Sequence, residues 1–247
     1  IKESSNERRQ LIDQIVEQTT ILGANTISDY KKVLKTRNRL LKDIAENKIQ
    51  LQLGIDTLQS IKPLFLKHAT ELTCLRIKAL KEMQPEAEAI INKISSKNFI
   101  KLDFKYVFSD NNYSEASYEN INIALLRRMN ELEAAELKIG LTLIGPQKHD
   151  VILLYNGNDS RFYCSQGQQR TIILAYKMAQ IVYHHRVHGF YPILLLDDVL
   201  SELDLLRQDS LISTLNETEA QTFVTTTDIS LLTKLSLDKA SVFKVKN

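Results

Sequence analysis

The chain has 247 residues, 43% hydrophobic and 25% charged, which is near the globular norm and enough to bury at least one large core. A formal net charge of +2 excludes attraction of a polyanion by the field of the whole molecule, so a nucleic-acid contact would need a local basic patch. Its two cysteines, Cys74 and Cys164, form neither a disulfide framework nor a metal-type spacing, and no apolar run reaches the length of a membrane span; a cytoplasmic protein with no membrane partner is expected.

In chain order, residues 3–22 read as a short amphipathic helix. From Ser28 to about Leu58, Tyr30, Val33, Leu34, Leu40, Leu41 and Ile44 recur at helical spacing, and after Pro63 so do Phe65, Ala69, Leu72, Leu80, Met83, Ala87, Ile90, Ile91 and Ile94. This predicts two long helices of roughly thirty residues which, with the first, make an antiparallel helical arm over residues 1–96. The pattern changes at Lys97-Asn98, where a second domain, 97–247, is predicted to begin. Leu102, Phe104, Tyr106 and Phe108 alternate with Asp103 and Lys105 as in a half-solvated strand, ended by Asp110-Asn111-Asn112. A helix from about Tyr118 to Lys138 closes at Gly140, and Asn156-Gly157 marks a hairpin turn. A long helix after Ser165, an apolar strand ending at Asp197, a helix from about Leu203 to Leu215, a strand at Thr222–Thr226 and an apolar stretch at Val242-Phe243 follow. The predicted class is mixed α/β, with a sheet that is parallel around the Asp197 strand and antiparallel at the hairpin.

Three motifs in this second half carry chemistry. Ser165-Gln166-Gly167-Gln168-Gln169-Arg170 opens a helix, and a helix start leaves backbone N–H groups unpaired beside a partial positive charge. Ser165, Gly167 and Gln168 there make a phosphate clamp. Ile193-Leu194-Leu195-Leu196 suits a strand buried on both faces, and ligands of open α/β sheets sit beyond the carboxyl ends of such strands. Asp197 at that end can hold Mg²⁺, and Asp198 can orient or deprotonate the water that attacks a γ-phosphate. Ser201-Glu202-Leu203-Asp204 forms the next turn, and a polar side chain at the tip of the following strand, Thr227, can reach the same phosphate. The three together read as half of an ATP site.

At these residues the chain resembles the heads of ATP-binding-cassette proteins and, more closely, the RecF family of bacterial DNA replication and repair proteins. The resemblance implies that Ser165 to Gln169 are the signature motif, Ile193 to Asp198 the Walker B strand and Ser201 to Asp204 the D-loop. It also places Thr222 to Thr227 on the segment that carries the switch histidine of transporters. Glu7-Arg8-Arg9, Arg37-Asn38 and Gly145-Pro146 look like further RecF landmarks, so the likeness covers nearly the whole chain. Asp198 stands where many cassette ATPases have Glu, Thr227 where transporters have His, and Gln147 and His149 interrupt a Gly-Pro-His-Arg-Asp-Asp pattern. The family implies ATP and Mg²⁺ as cofactors, an ATP-dependent homodimer in which Ser165 acts on the partner's nucleotide, double-stranded or gapped DNA, and RecR- and RecO-type mediators that place RecA. No Gly-x-x-x-x-Gly-Lys-Ser/Thr phosphate loop occurs in the sequence. RecF-like proteins carry it in an N-terminal segment, so this chain is expected to be the later part of the head plus an arm, inactive alone and a weak ATPase when complete.

Lys31, Lys35, Arg39 and Lys42 fall on one helical face within a run, Lys31 to Lys42, that has no acidic residue; they are the candidate DNA-phosphate contacts, against an ordinary solvated face. His184 and His188 have metal-ligand spacing without a third ligand and read as packing or surface residues. Two other functions stay open: a non-catalytic docking module, which intact Asp197, Asp198 and Asp204 oppose, and an SMC- or Rad50-like head, which would need a far longer coiled coil.

Overall fold

The structure, a computed structural model, describes residues 4–95, 99–108, 111–112, 117–227 and 241–244. Lys97, Asn98 and Asp110, which figure in the sequence reading, lie outside them. The first helix, α1 (Ser5–Thr19), starts with a capping box in which Glu7 accepts the Ser4 N–H at 2.6 Å and Ser4 Oγ accepts the Glu7 N–H at 3.4 Å. Next come α2 (Gly23–Ala45) and a single 45-residue helix, α3 (Leu51–Ser95).

The helix break therefore falls at residues 46–50, not at Pro63. Asn47 takes a left-handed conformation, φ 55°, which Asn tolerates better than most side chains. Pro63 sits inside α3, where an interior proline costs about 3 kcal/mol. Phe65, Leu66, Ala69 and Leu72, all buried in the following turns, outweigh that cost at about 1.5–3 kcal/mol for each large apolar side chain.

Strand β1 (Leu102–Phe108) alternates buried and half-buried residues as predicted. It pairs antiparallel with β2 (Asn111–Asn112). Helix α4 (Tyr118–Ile139) begins at the Ser117 cap and ends at Gly140, φ 75°. Strands β3 (Asp150–Tyr155) and β4 (Asn158–Asp159) form the predicted hairpin, with Asn156 and Gly157 both at positive φ. The sheet order is β2-β1-β3-β4. A short α5 (Ser160–Tyr163) leads to α6 (Gln166–His188), then β5 (Leu194–Asp197), α7 (Leu205–Glu217) and β6 (Thr222–Thr225). Strands β5 and β6 are parallel, so both predicted pairings exist; among the described residues they lie in separate sheets rather than one mixed sheet.

Compactness divides the chain elsewhere than at 96/97. One unit comprises residues 1–82 and 104–153, the other 83–103 and 154–247. In the first, α2 packs on α1 and α4, and ion pairs bind early residues to late ones: Arg8 to Asp150 at 2.6 Å and Arg37 to Glu136 at 2.6 Å. Periodicity reports local structure and does not reveal such partners.

In the second unit α6 is buried almost all round, from Gln169 to His184. The β5–β6 sheet is covered on one face only. Leu194 and Leu196 are buried, whereas Ile193, Leu195 and Phe223 are 60%, 71% and 51% exposed. The predicted burial of β5 on both faces is thus corrected: in a two-stranded sheet, nothing among the described residues covers the face that alternation gives to Leu195 and Asp197. No helix among the described residues is long and apolar enough to cross a membrane.

Candidate nucleotide site and basic helix face

Ser165 caps α6 with extended backbone, and its Oγ accepts the Gln168 N–H at 3.3 Å while Gln168 Oε1 accepts the Ser165 N–H at 2.8 Å. Gln168 is thereby turned back onto the helix start rather than outward to a ligand. Ser165 and Gln166 are exposed and Gly167 is half-buried, so the positive end of α6 is accessible. Gln169 does what its neighbours do not: buried, it donates to the Ser160, Cys164 and Arg161 carbonyls at 2.9, 3.2 and 3.4 Å, fixing the turn that precedes Ser165. Its role was hidden in sequence because an internal glutamine carries no periodic or motif signal of such a job.

At the tip of β5, Asp197 and Asp198 are both exposed. Thr225, paired with Asp197 in the parallel register, ties them together: its Oγ1 donates to Asp197 Oδ1 at 2.5 Å and accepts the Asp198 N–H at 2.9 Å. Asp198 has φ 49°, a conformation that costs a non-glycine residue about 1–2 kcal/mol. The Thr225 bond and a Ser201 Oγ donation to the Asp198 carbonyl at 2.8 Å hold it there. Thr227, the residue expected at the phosphate, is exposed two positions beyond β6, and it is Thr225 that meets the Asp197 carboxylate and the Asp198 backbone.

The turn after β5 is a 3₁₀ turn, Leu200–Glu202, braced by buried Gln208, whose Nε2 donates to the Leu200 and Leu203 carbonyls at 2.8 and 3.0 Å. Asp204 caps α7: Oδ1 accepts the Arg207 N–H at 3.0 Å and Oδ2 pairs with Arg207 Nη1 at 3.1 Å. That Nη1 also lies 3.4 Å from the position a Cβ would take on Gly167. Gln168, Thr171, Arg207, Tyr155 and Ile91 help line a cavity of about 190 Å³ beside this contact. Among the described residues no three His, Cys, Asp or Glu side chains gather as a metal site. His184 packs instead, its ring 4.6 Å from that of His188 and Nδ1 3.1 Å from the Phe190 carbonyl.

On α2, Lys31, Lys35, Arg39 and Lys42 are all exposed. Asp43 and Glu46 follow them, 3.9 Å from Arg39 and 3.8 Å from Lys42, loose exposed pairs that contribute little.

No protein-family model matches the chain. The DNA replication and repair protein RecF of Bacillus velezensis is 34% identical over 247 residues, covering all of this chain and 65% of that protein. A solved structure of the recombination mediator protein RecF with ATP in the RecFOR pathway aligns at TM-score 0.78 and 28% identity, over 92% of this chain and 59% of that one. Its counterpart RecF-ATPrS aligns at TM-score 0.79 and 30% identity, over 94% and 60%. The chain belongs to the RecF family. It spans 65% of the length of the Bacillus velezensis relative.

The RecF landmarks in the first unit prove to be structural. Arg8 forks onto Asp150 at 2.9 and 2.6 Å, and Arg9 donates to the His149 carbonyl at 2.8 Å. Arg37, within the basic run, is buried against Glu136, Thr142 and the Phe65 ring. Arg76, also buried, binds Asp13 and the Pro146 carbonyl. The two departures from the RecF-like loop are built into the same core. Gln147 accepts from the Tyr30 hydroxyl and donates to the Ile144 carbonyl at 2.6 Å. His149 stacks on Phe108 and contacts the Tyr106 hydroxyl at 2.9 Å; burial, with Arg76 and Arg9 nearby, holds its pKa well below the usual histidine value.

Proposed function

We propose that this chain supplies the signature, Walker B and D-loop part of an ATP-dependent protein of DNA replication and recombinational repair. Two copies close on ATP: the Ser165 turn of one faces the γ-phosphate held by the phosphate loop of the other. The observation that carries this reading is the Thr225 bridge, which fixes Asp197 and Asp198 side by side, exposed, at the carboxyl end of a parallel strand.

Asp197 suits Mg²⁺, a hard cation that takes one or two carboxylates and completes its shell with phosphate oxygens and water. Held by Asp197, Mg²⁺ would supply positive charge to the nucleotide's phosphates. The chain's own residues do the rest. Thr225 orients Asp197, which would hold the ion. Asp198 orients the attacking water and accepts its proton. Ser165, whose oxygen already accepts from Gln168, still has its hydroxyl hydrogen to donate to a phosphate.

Parallel sheets are ordinarily covered on both faces. The bare Ile193–Leu195–Phe223 face and the greater length of the relatives support a head completed by a further lobe, the one that brings the phosphate loop. The first unit reaches DNA with Lys31, Lys35, Arg39 and Lys42, while the second works on nucleotide, in the cytoplasm and with RecR- and RecO-type mediators. In the complete polypeptide, Ser165→Arg should abolish ATP-dependent dimerisation in sedimentation while each subunit still binds ATP. Asp198→Asn should keep the dimer and slow hydrolysis. If both variants dimerise and hydrolyse ATP like the parent, the reading fails.

A further inference from the structure

Arg207 lies outside the motifs, yet it binds one of them and faces another. Its backbone N–H and its Nη1 each bind one oxygen of Asp204, at 3.0 and 3.1 Å, so a single residue sets both the direction and the charge balance of the D-loop carboxylate. The same Nη1 bounds the outer side of Gly167: among the described residues it is the one atom beyond that turn within 4 Å of a Cβ built there. A Cβ at Gly167 would meet Nη1 at 3.4 Å, an ordinary van der Waals distance, so the guanidinium stands beside the first turn of α6 with about a methyl group's room between them. Arg207 is held from behind as well, because its neighbour Gln208 is buried and bonded to the Leu200 and Leu203 carbonyls. With 27% of its side chain exposed and its charge paired with Asp204, it stands between the two turns and is not a free surface charge.

We propose that Arg207 is a positioning residue that locks the Asp204 turn to the Ser165–Gly167 turn, so that one subunit presents both to the same nucleotide as a rigid pair. This rests on the nucleotide reading above. The fork is suited to the task. A planar guanidinium can satisfy a carboxylate and lie flat on backbone at once, which a lysine ammonium does poorly. Pairing also cancels the Asp204 charge, which would otherwise repel a triphosphate entering at the positive end of α6.

The test uses the complete polypeptide, with ATP turnover, ATP affinity of the single subunit and sedimentation measured together. Arg207→Ala should lower kcat at least tenfold and weaken ATP-dependent dimerisation, with single-subunit ATP affinity within twofold of the parent. Arg207→Lys should restore only part of kcat. Combining Arg207→Ala with Asp204→Asn should cost no more than the worse single variant, because both break one linkage. A melting curve checks that each variant is folded, and Arg207→Gln substitutes if the alanine variant is not. Turnover and dimerisation like the parent's in a folded Arg207→Ala protein, or losses that multiply in the double variant, would overturn the proposal. Ser165→Arg run in parallel separates the two levels: if it dimerises normally, the nucleotide reading itself is wrong, and if it does not while Arg207→Ala behaves as parent, only the Arg207 role falls.

Discussion

Replacing Thr225 by Val keeps the shape of the residue and deletes its hydroxyl, the group that joins the Asp197 carboxylate to the Asp198 backbone at the β5 tip. Two bonds go at once: the donation to Asp197 at 2.5 Å and the acceptance from the Asp198 N–H at 2.9 Å. A hydrogen bond to a charged group contributes about 1.5–3 kcal/mol and a neutral one about 0.5–1.5. Both carboxylates and Thr225 are exposed, so the lower ends apply, giving about 2 kcal/mol in total for placing the pair. At about 1.4 kcal/mol per tenfold this is roughly a thirtyfold fall in kcat, inside the range of about 10–100 typical of residues that orient metal ligands. ATP turnover by the complete polypeptide, titrated with Mg²⁺, is the assay, and the half-saturating Mg²⁺ concentration should rise together with the loss of rate. Thr225→Ser, which keeps the hydroxyl, should stay within about threefold of the parent. A Thr225→Val protein that matches the parent in both rate and Mg²⁺ dependence would refute the claim that this threonine aims the carboxylates.

Changing Lys31, Lys35, Arg39 and Lys42 together to Glu should weaken duplex DNA binding by the complete polypeptide regardless of sequence, and flatten the log–log salt slope by about one unit per lost phosphate contact; unchanged salt titrations in a folded variant would return the patch to a solvated face. Arg37→Met should destabilise by about 3–5 kcal/mol, because it leaves Glu136 charged and buried, and thermal melting should show Glu136→Gln relieving much of the loss in the same chain. His149 should make the fold acid-sensitive. Above pH about 6.5 it is neutral folded or unfolded, but below that the unfolded chain takes up a proton that burial, Arg76 and Arg9 deny the fold, so stability falls by up to about 1.4 kcal/mol per pH unit until the lowered folded pKa is reached. His149→Gln should flatten that limb in melts between pH 7 and 5, and an identical acid limb would show that His149 is not its source.

What the sequence made legible was local. The Asn156-Gly157 hairpin, the Gly140 stop, the Ser165 cap and the Asp197 strand end each depend on a few adjacent residues whose backbone preferences act whatever surrounds them. What it hid depends on partners far along the chain. Arg37 and Arg39 look alike in a basic run, and only the position of Glu136, ninety-nine residues later, makes one a core residue and the other a surface charge. Thr225 was hidden for the same reason: its importance comes from strand register, which places it opposite Asp197 and leaves Thr227 beyond the sheet. Pro63 misled because a strong local breaker was overridden by the buried apolar residues of the turns that follow it.

The left-handed backbone at Asp198 decides which substitutions at that position are clean probes. Asn, like Asp, tolerates such a conformation, so Asp198→Asn removes the charge while leaving the turn as it is. Glu has no such tolerance. Asp198→Glu, which keeps the charge and follows the residue common among cassette ATPases, would load strain onto the Thr225 and Ser201 bonds and move the carboxylate one methylene outward. A weak Asp198→Glu enzyme would therefore report backbone strain as much as chemistry. A short acid at this place is the choice that a left-handed turn at the end of a strand makes natural, and the two residue types found across cassette ATPases need not be interchangeable parts.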